Sequence, residues 1–377
     1  VVQEAVTRYA GRTTLLPNVV QGDYLSQLSA VLTSETGAPI IAGIKGEDVA
    51  GLLPRADAFV DLNTLGARDL ANRYLPWKMQ QGSTPDGRQI GLPIDIGPTA
   101  LFYRSDLLVR AGLPAEPAAA GSAMATWEDF LDAGARFRAK VSGAHWLRNA
   151  GELFSTVLGQ ATQRFVDESN HFVGDQEHVQ RAWDLAVALV DRGLSANIPA
   201  GSEERWATAI GAGQLATELG AAWHAADIKE AAEGDAGKWR VTGGPATGAN
   251  SGGSFLAVPA AGRDHALAFE IIGWMLSPEN QERGFSDAAL FPATPATYLM
   301  PALVRPDEFF GGQVTVEVFA ASAEKIGRVY EAPADAAIAR IFLTELTAVD
   351  SGRKRGPEAW ESAVAASRRL AVEQGVN

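Results

Sequence analysis

Cysteine is absent from the 377 residues, which excludes disulfide scaffolds, thiolate zinc sites and cysteine nucleophiles together. Basic charge is also scarce. The 32 Lys and Arg stand against 45 Asp and Glu, a formal charge of −13, and the one dense basic run is Arg353-Lys354-Arg355. A polyanion binder needs clustered cations to displace counterions from phosphates, so no nucleic-acid partner is expected and that run reads as a solvated turn. No apolar stretch approaches the ~18 residues needed to cross a bilayer. With 46% hydrophobic and 20% charged residues, the composition is that of a globular chain able to bury a large core. The length implies two or three domains, or two large lobes.

Catalytic signatures are missing as well. None of the histidines, His145, His171, His178, His224 and His265, forms a zinc-helix pair with a Glu between. There is no Gly-x-Ser-x-Gly elbow. Gly211-x-Gly213-x-x-Ala216 imitates a dinucleotide fingerprint but follows a helix and precedes a strand, the reverse of a Rossmann turn. Gly237-Lys238 is followed by Trp239, and Ala232 stands where a phosphate loop needs glycine. No cofactor or metal is expected. Carboxylates are numerous, so a glycosidase acid/base pair stays open, because such a pair is defined by spatial separation.

What the chain does contain is an alternation of helix and strand signals. Asp23 caps a helix carrying Leu25, Leu28, Val31 and Leu32, stopped at Gly37-Ala38-Pro39, and Ile40 to Ile44 reads as a buried strand. A strand pair follows at Gly91-Leu92-Pro93 and Ala100 to Arg104, separated by Gly97-Pro98. Ser105 opens a short helix ending at Gly112. Thr126 is an N-cap with acids in the first turn behind it, and Gln176 to Asp191 forms a helix stopped by Gly193. β-Prone pieces lie at Leu215 to Leu219, Trp239 to Thr242 and Phe255 to Val258. Ser277-Pro278 starts a helix, and Val314 to Gln374 is helical with breaks at Ala332-Pro333 and Gly352 to Pro357. Val1 to Ala10 reads as a helix with Val2, Val6 and Tyr9 on one side.

Nine tryptophans are present, several among Gly, Pro and Asn. Such rings stack on the apolar C–H faces of sugars while Asp, Glu, Asn and backbone amides meet the hydroxyls. Trp183 and Trp274, inside helical stripes, read as core.

The run Gly91 to Leu107, GLPIDIGPTALFYRSDL, resembles the extracellular solute-binding proteins of ABC-type sugar importers, of the family 1 carbohydrate-binding type. The likeness continues through Ala111-Gly112-Leu113-Pro114, Thr126-Trp127-Glu128-Asp129-Phe130, Ala221-Ala222-Trp223, Gly252 to Pro259, and Leu276-Ser277-Pro278-Glu279-Asn280-Gln281. It covers Asp23 to the C-terminus. Members of the family open on a strand, where this chain reads as helix, and carry Asp where this chain has Ile40.

The resemblance implies an α/β, two-lobe periplasmic-binding-protein-like fold with hinge-crossing segments and a central ligand cleft. On that template the N-terminal lobe holds 1–105 and 260–312 and the C-terminal lobe 106–259 and 313–377, with crossings near Tyr103 to Leu108, Phe255 to Ala260 and Phe310 to Val314. It implies a monomeric receptor, not an enzyme, that closes on a carbohydrate and delivers it to a membrane permease. Its place is extracytoplasmic, at the cell surface as a lipoprotein or in the periplasm, after removal of a signal peptide. Trp223 is the expected stacking platform and Asp95 the acceptor of sugar hydroxyls. Gly252, Gly253 and Ser254 bring backbone amides and a hydroxyl to the ligand, and Glu47 and Asp48 follow a strand end facing it. Trp146, Asn149, Phe291, Tyr330 and Glu331 complete the expected contacts. A carbohydrate-processing enzyme and a polyamine receptor of the same fold remain alternatives; the second needs carboxylates gathered around an aromatic box.

Overall fold

The computed structural model describes residues 1–20, 24–32 and 37–377; the expected cap Asp23 lies outside them. Six strands occur among these residues: β1 Ala42–Lys45, β2 Leu92–Pro93, β3 Thr99–Arg104, β4 Thr217–Ala221, β5 Trp239–Thr242 and β6 Ser254–Ala257. They form two antiparallel sheets, β1-β6-β2 and β4-β3-β5. The strand signals at Gly91 to Pro93 and Ala100 to Arg104 are therefore real, but the two strands belong to different sheets.

The chain separates into two units, Val1–Ile96 with Gly252–Leu303, and Gly97–Ser251 with Val304–Asn377. This division moves each boundary expected at 105, 259 and 312 toward the N-terminus, for reasons visible in the pairing. β3 is held between β4 and β5, so it lies wholly in the second unit. β6 runs between β1 and β2, with Ala42 opposite Ala257 and Leu92 opposite Leu256, so it lies wholly in the first. Phe310 packs on Phe102 of β3 with ring centroids 5.9 Å apart, which keeps its segment in the second unit.

In the first unit, the helix Tyr24–Leu32 turns Leu28 and Leu32 onto Ile44, Phe59 and Phe255 of a common apolar cluster. The helix Val2–Tyr9 buries Ala5 and Tyr9 and leaves Val2 exposed, because Tyr9 is drawn edge-on to Trp274 at 6.2 Å. Trp274 is thus a docking surface for that helix.

The second unit has the larger core. β3 is buried at all six positions, as expected of a central strand covered on both faces. Beside it, helices Ala150–Leu158, Glu177–Asp191, Asp335–Asp350 and Gly356–Glu373 converge on a group of rings. Phe342 stacks on Phe165 at 5.0 Å and on Phe154 at 5.7 Å, with Trp183 and Trp360 closing the sides. Trp183 is core, as its helical stripe predicts. The local signals hold: the Thr126 side chain accepts from Asp129 N–H, Ser277 accepts from Asn280 N–H, and Gly112 and Gly193 adopt positive φ at the ends of their helices.

Candidate functional site

The second unit contains a cavity of about 1050 Å³, in the range of small-molecule sites. Four local structures build it. The helix Ala150–Leu158 begins at Asn149, whose Oδ1 accepts from Glu152 N–H at 2.9 Å. The helix Glu203–Gly211 contributes Trp206, and β4 contributes Glu218, its second residue. The helix His224–Ala231 follows immediately after Trp223.

Trp223 stands at the wall with 39% of its surface exposed, unusual for so large an apolar ring in this chain. It is not loose. Its Nε1 donates to Ser251 O at 3.2 Å, and its ring meets His224 edge-on at 5.8 Å. The indole face is thereby presented in a fixed direction with its polar hydrogen already satisfied.

Behind it lies a buried charged cluster that sequence reasoning missed. Glu218 is 1% exposed; its Oε2 accepts from Trp206 Nε1 at 2.9 Å and faces His224 Nε2 at 3.2 Å. His224 Nδ1 faces Asp227 Oδ2 at 3.1 Å. Two ring nitrogens each directed at a carboxylate oxygen require two N–H donors, hence the imidazolium. Burial opposes that charge, but the hydrogen bonds to Asp227 and Glu218, with the charges of Glu218 and Glu152, outweigh it and raise the His224 pKa to about 9. Glu152 reaches across from its helix to accept from Leu219 N–H at 2.7 Å. Burial, then the neighbouring Glu218, push its carboxyl well above the usual carboxylate range. Glu152 Oε2 and Glu218 Oε1 are buried without a hydrogen-bond partner. The available sequence signal was Glu218 itself, a charge inside a short apolar strand pattern.

Several expected contacts have other tasks. Trp146 is 1% exposed and wedged between Phe130 and Phe137 at 5.3 and 5.4 Å, so it is core and not a ligand contact. Asn149 borders the cavity, but besides capping its helix it donates through Nδ2 to Ile198 O at 2.7 Å, which commits both ends of the amide. Phe291 is fully buried in the first unit against Tyr298 and Phe285. Tyr330 donates its backbone N–H to Thr162 O, and Glu331 pairs with Arg164 at 2.5 Å; neither borders the cavity.

In the first unit, Asp95 is 5% exposed and its Oδ1 accepts from Ser254 N–H at 2.7 Å, tying down the first residue of β6. Burial raises its pKa, partly offset by that bond and by Lys78. Gly252 and Gly253 both take positive φ. A Cβ on Gly253 would lie 2.7 Å from Asp95 O and from Lys78 Nζ, so the glycines serve a close backbone passage. Glu47 and Asp48 occupy the first turn of the helix Gly46–Leu52, Glu47 exposed and Asp48 half-buried. Among the described residues no cluster of His, Asp or Glu is arranged to hold a metal ion.

The fold has counterparts in known proteins. A lactose-binding protein of Rhizobium radiobacter is 26% identical over 63% of this chain, and the match spans 57% of that protein's length. A crystal structure of an extracellular solute-binding protein of family 1 is 30% identical and superposes with a TM-score of 0.92 over 98% of this chain and 95% of that one. The galacto-N-biose/lacto-N-biose I-binding protein of an ABC transporter from Bifidobacterium longum, solved with lacto-N-biose, shares the fold at a TM-score of 0.81, with 18% identity over 100% of this chain and 94% of its own. The family model described as bacterial extracellular solute-binding protein matches residues 16–310. With so much of its length accounted for, this chain belongs to the bacterial extracellular solute-binding protein family.

Proposed function

We propose that this protein is an extracytoplasmic receptor that captures a mono- or oligosaccharide and passes it to the membrane permease of an ABC importer. The observation that carries the reading is Trp223, an indole face held open at the wall of a cavity that is also lined by polar side chains, among them Asn149 and Glu218. A pyranose asks for that combination: an apolar ring face to stack on an aromatic, and a rim of hydroxyls that need acceptors. Family membership and the saccharides bound by related receptors support it. The receptor acts as a monomer, and it is anchored as a lipoprotein or free in the periplasm. No covalent step is involved. Micromolar capture corresponds to about −8 kcal/mol, which one aromatic stack and a few hydrogen bonds supply.

The test is intrinsic tryptophan fluorescence with a parallel thermal shift, after unfolding and refolding to remove carried-over ligand, against a panel of mono- and oligosaccharides and spermidine. A saturable response to a saccharide that is recovered unaltered by chromatography is the expected outcome. Recovery of cleaved sugar would transfer the protein to the enzymes. A response to spermidine alone would end the sugar reading.

A further inference from the structure

Trp223 is fastened at one edge by the bond from Nε1 to Ser251 O and braced at its ring by His224, the two ring planes 76° apart. An indole so open to solvent depends on such a brace, because a binding group fixed in advance does not lose its freedom again when the ligand arrives. His224 is built to be rigid. Its ring lies over Gly220, where a Cβ would come within 2.6 Å of the imidazole Cδ2, so the missing side chain at 220 is what admits it. Trp206 at 5.1 Å and Phe102 at 5.8 Å close its sides. In its own plane, Nε2 faces Glu218 at 3.2 Å and Nδ1 faces Asp227 at 3.1 Å.

Both in-plane contacts attract only while each nitrogen carries a hydrogen. Loss of either proton turns a lone pair toward a carboxylate oxygen, acceptor against acceptor in a buried place. The neutral ring keeps one contact at most, and a ring held at a single nitrogen can rock about it. Glu218 cannot adjust, being tied to Trp206 Nε1, whereas the half-exposed Asp227 side chain can turn to water. Charge reaches His224 from three elements: Glu218 on β4, Asp227 on its own helix, and Glu152 on the helix Ala150–Leu158. Phe102 and Trp206 present rings only, with the Arg148 guanidinium beyond Trp206 at 5.8 Å from that ring.

We infer that His224 is a positioning residue of the saccharide site: as an imidazolium pinned by Glu218 and Asp227 it holds the Trp223 face in place, and the saccharide is bound more weakly once that proton is lost. His224 acts through Trp223 and does not itself have to touch the sugar. With its pKa at about 9, the platform is set throughout the neutral range and loosens above it. The inference rests on the sugar reading and adds to it a residue behind the contact surface.

Two readouts on the whole protein test it, with thermal melts confirming that each sample is folded. In the first, fluorine NMR follows protein labelled with 5-fluorotryptophan from pH 7 to 10, the Trp223 signal being assigned through Trp223→Phe. The change of that signal on exchanging H2O for D2O reports solvent at the ring, and it should grow with the same midpoint as the His224 imidazole read by nitrogen-15 NMR. Asp227→Asn keeps an oxygen for Nδ1 and removes its charge, so both midpoints should fall together. Glu152→Gln takes out the other strongly perturbed group and should leave the ring following the imidazole. A Trp223 signal indifferent to the imidazole, or one that stops moving in Glu152→Gln, would overturn the inference. The second readout is calorimetry with lactose, β-1,6-galactobiose and lacto-N-biose at pH 7 and pH 10. Affinity for a sugar that binds should fall by about 5-fold or more, part of the worth of an aromatic stack, and His224→Gln should abolish the difference. Equal affinity at both pH values in wild-type protein whose imidazole has titrated would overturn the inference and leave the sugar reading standing. Silence toward all three sugars refers the sugar reading to the wider panel, and the fluorine signal alone then decides whether His224 holds Trp223.

Discussion

Trp206 gives its only polar hydrogen to Glu218, Nε1 to Oε2 at 2.9 Å, with both side chains buried. The bond crosses from the helix Glu203–Gly211 to β4 and fixes the carboxylate that borders the cavity. Trp206→Phe keeps a ring and deletes the donor. A hydrogen bond to a charged group is worth about 1.5–3 kcal/mol, and a loss of that size is expected in denaturant unfolding. An unfolding midpoint equal to the wild type would show that the bond contributes nothing.

Trp223→Ala separates binding from folding. The ring is 39% exposed and outside the core cluster, so its removal should shift the melting temperature by little. Saccharide affinity should fall by 10-fold or more, the scale of one lost aromatic stack and its buried area. Unchanged affinity in a titration would remove Trp223 from the site.

The protonated state of His224 makes a definite statement about pH. Its pKa rises from 6.5 to about 9 on folding, so the folded form holds a proton that the unfolded chain releases between those values. That stabilisation is complete below pH 6.5 and is lost as pH climbs through about 9. The shift sets an upper bound of roughly 3 kcal/mol. Stability measured from pH 6 to 9.5 should decline, and His224→Gln should flatten the decline. A wild-type curve flat across that interval would count against the imidazolium.

Gly253→Ala tests the glycine passage in the first unit. Its φ of 76° is disfavoured for any residue with a Cβ, and the added atom would press on Asp95 O and Lys78 Nζ at 2.7 Å. Together these should destabilise by about 2 kcal/mol or more. Gly143→Ala is the control: φ is 83° there, with nothing within 4 Å of the added atom. It should cost only the dihedral term, about 1 kcal/mol. Equal losses at the two positions would show that crowding at Gly253 is irrelevant.

Features encoded within a few residues were legible in the sequence. Thr126 and Ser277 cap helices because their hydroxyls reach an N–H three residues on, and Gly112 and Gly193 end helices because their φ is positive; neighbours in the chain suffice for both. Pairing was not legible. β3 meets β4 more than a hundred residues later, and nothing local near Thr99 names that partner over β2. The same limit hid the site. Trp146 and Trp223 are alike as letters, yet one is enclosed by Phe130 and Phe137 and the other is open. Glu152 and Glu218 come near each other only because a helix start is set against β4, Glu152 accepting from Leu219 N–H at 2.7 Å. Family resemblance pointed to Trp223, but it offered nothing for the acids behind it.

The placement of β6 between β1 and β2 bears on how the chain acquires its shape during synthesis. β1 and β2 are complete by Pro93, but the strand that joins them is Ser254–Ala257. Everything from Gly97 to Ser251 must emerge before the first sheet exists, and closing so long a loop is slow. The segment carrying β1 and β2, made before its central strand, therefore finishes late, with Ile44 and Phe59 waiting for Phe255 to cover them. The β4-β3-β5 sheet needs only residues up to Thr242 and can assemble ahead of it. For these two sheets the order of synthesis and the order of completion are thus inverted, and the stretch carrying β1 and β2 stays uncovered until Phe255 is made, the interval in which a holding chaperone would act on it.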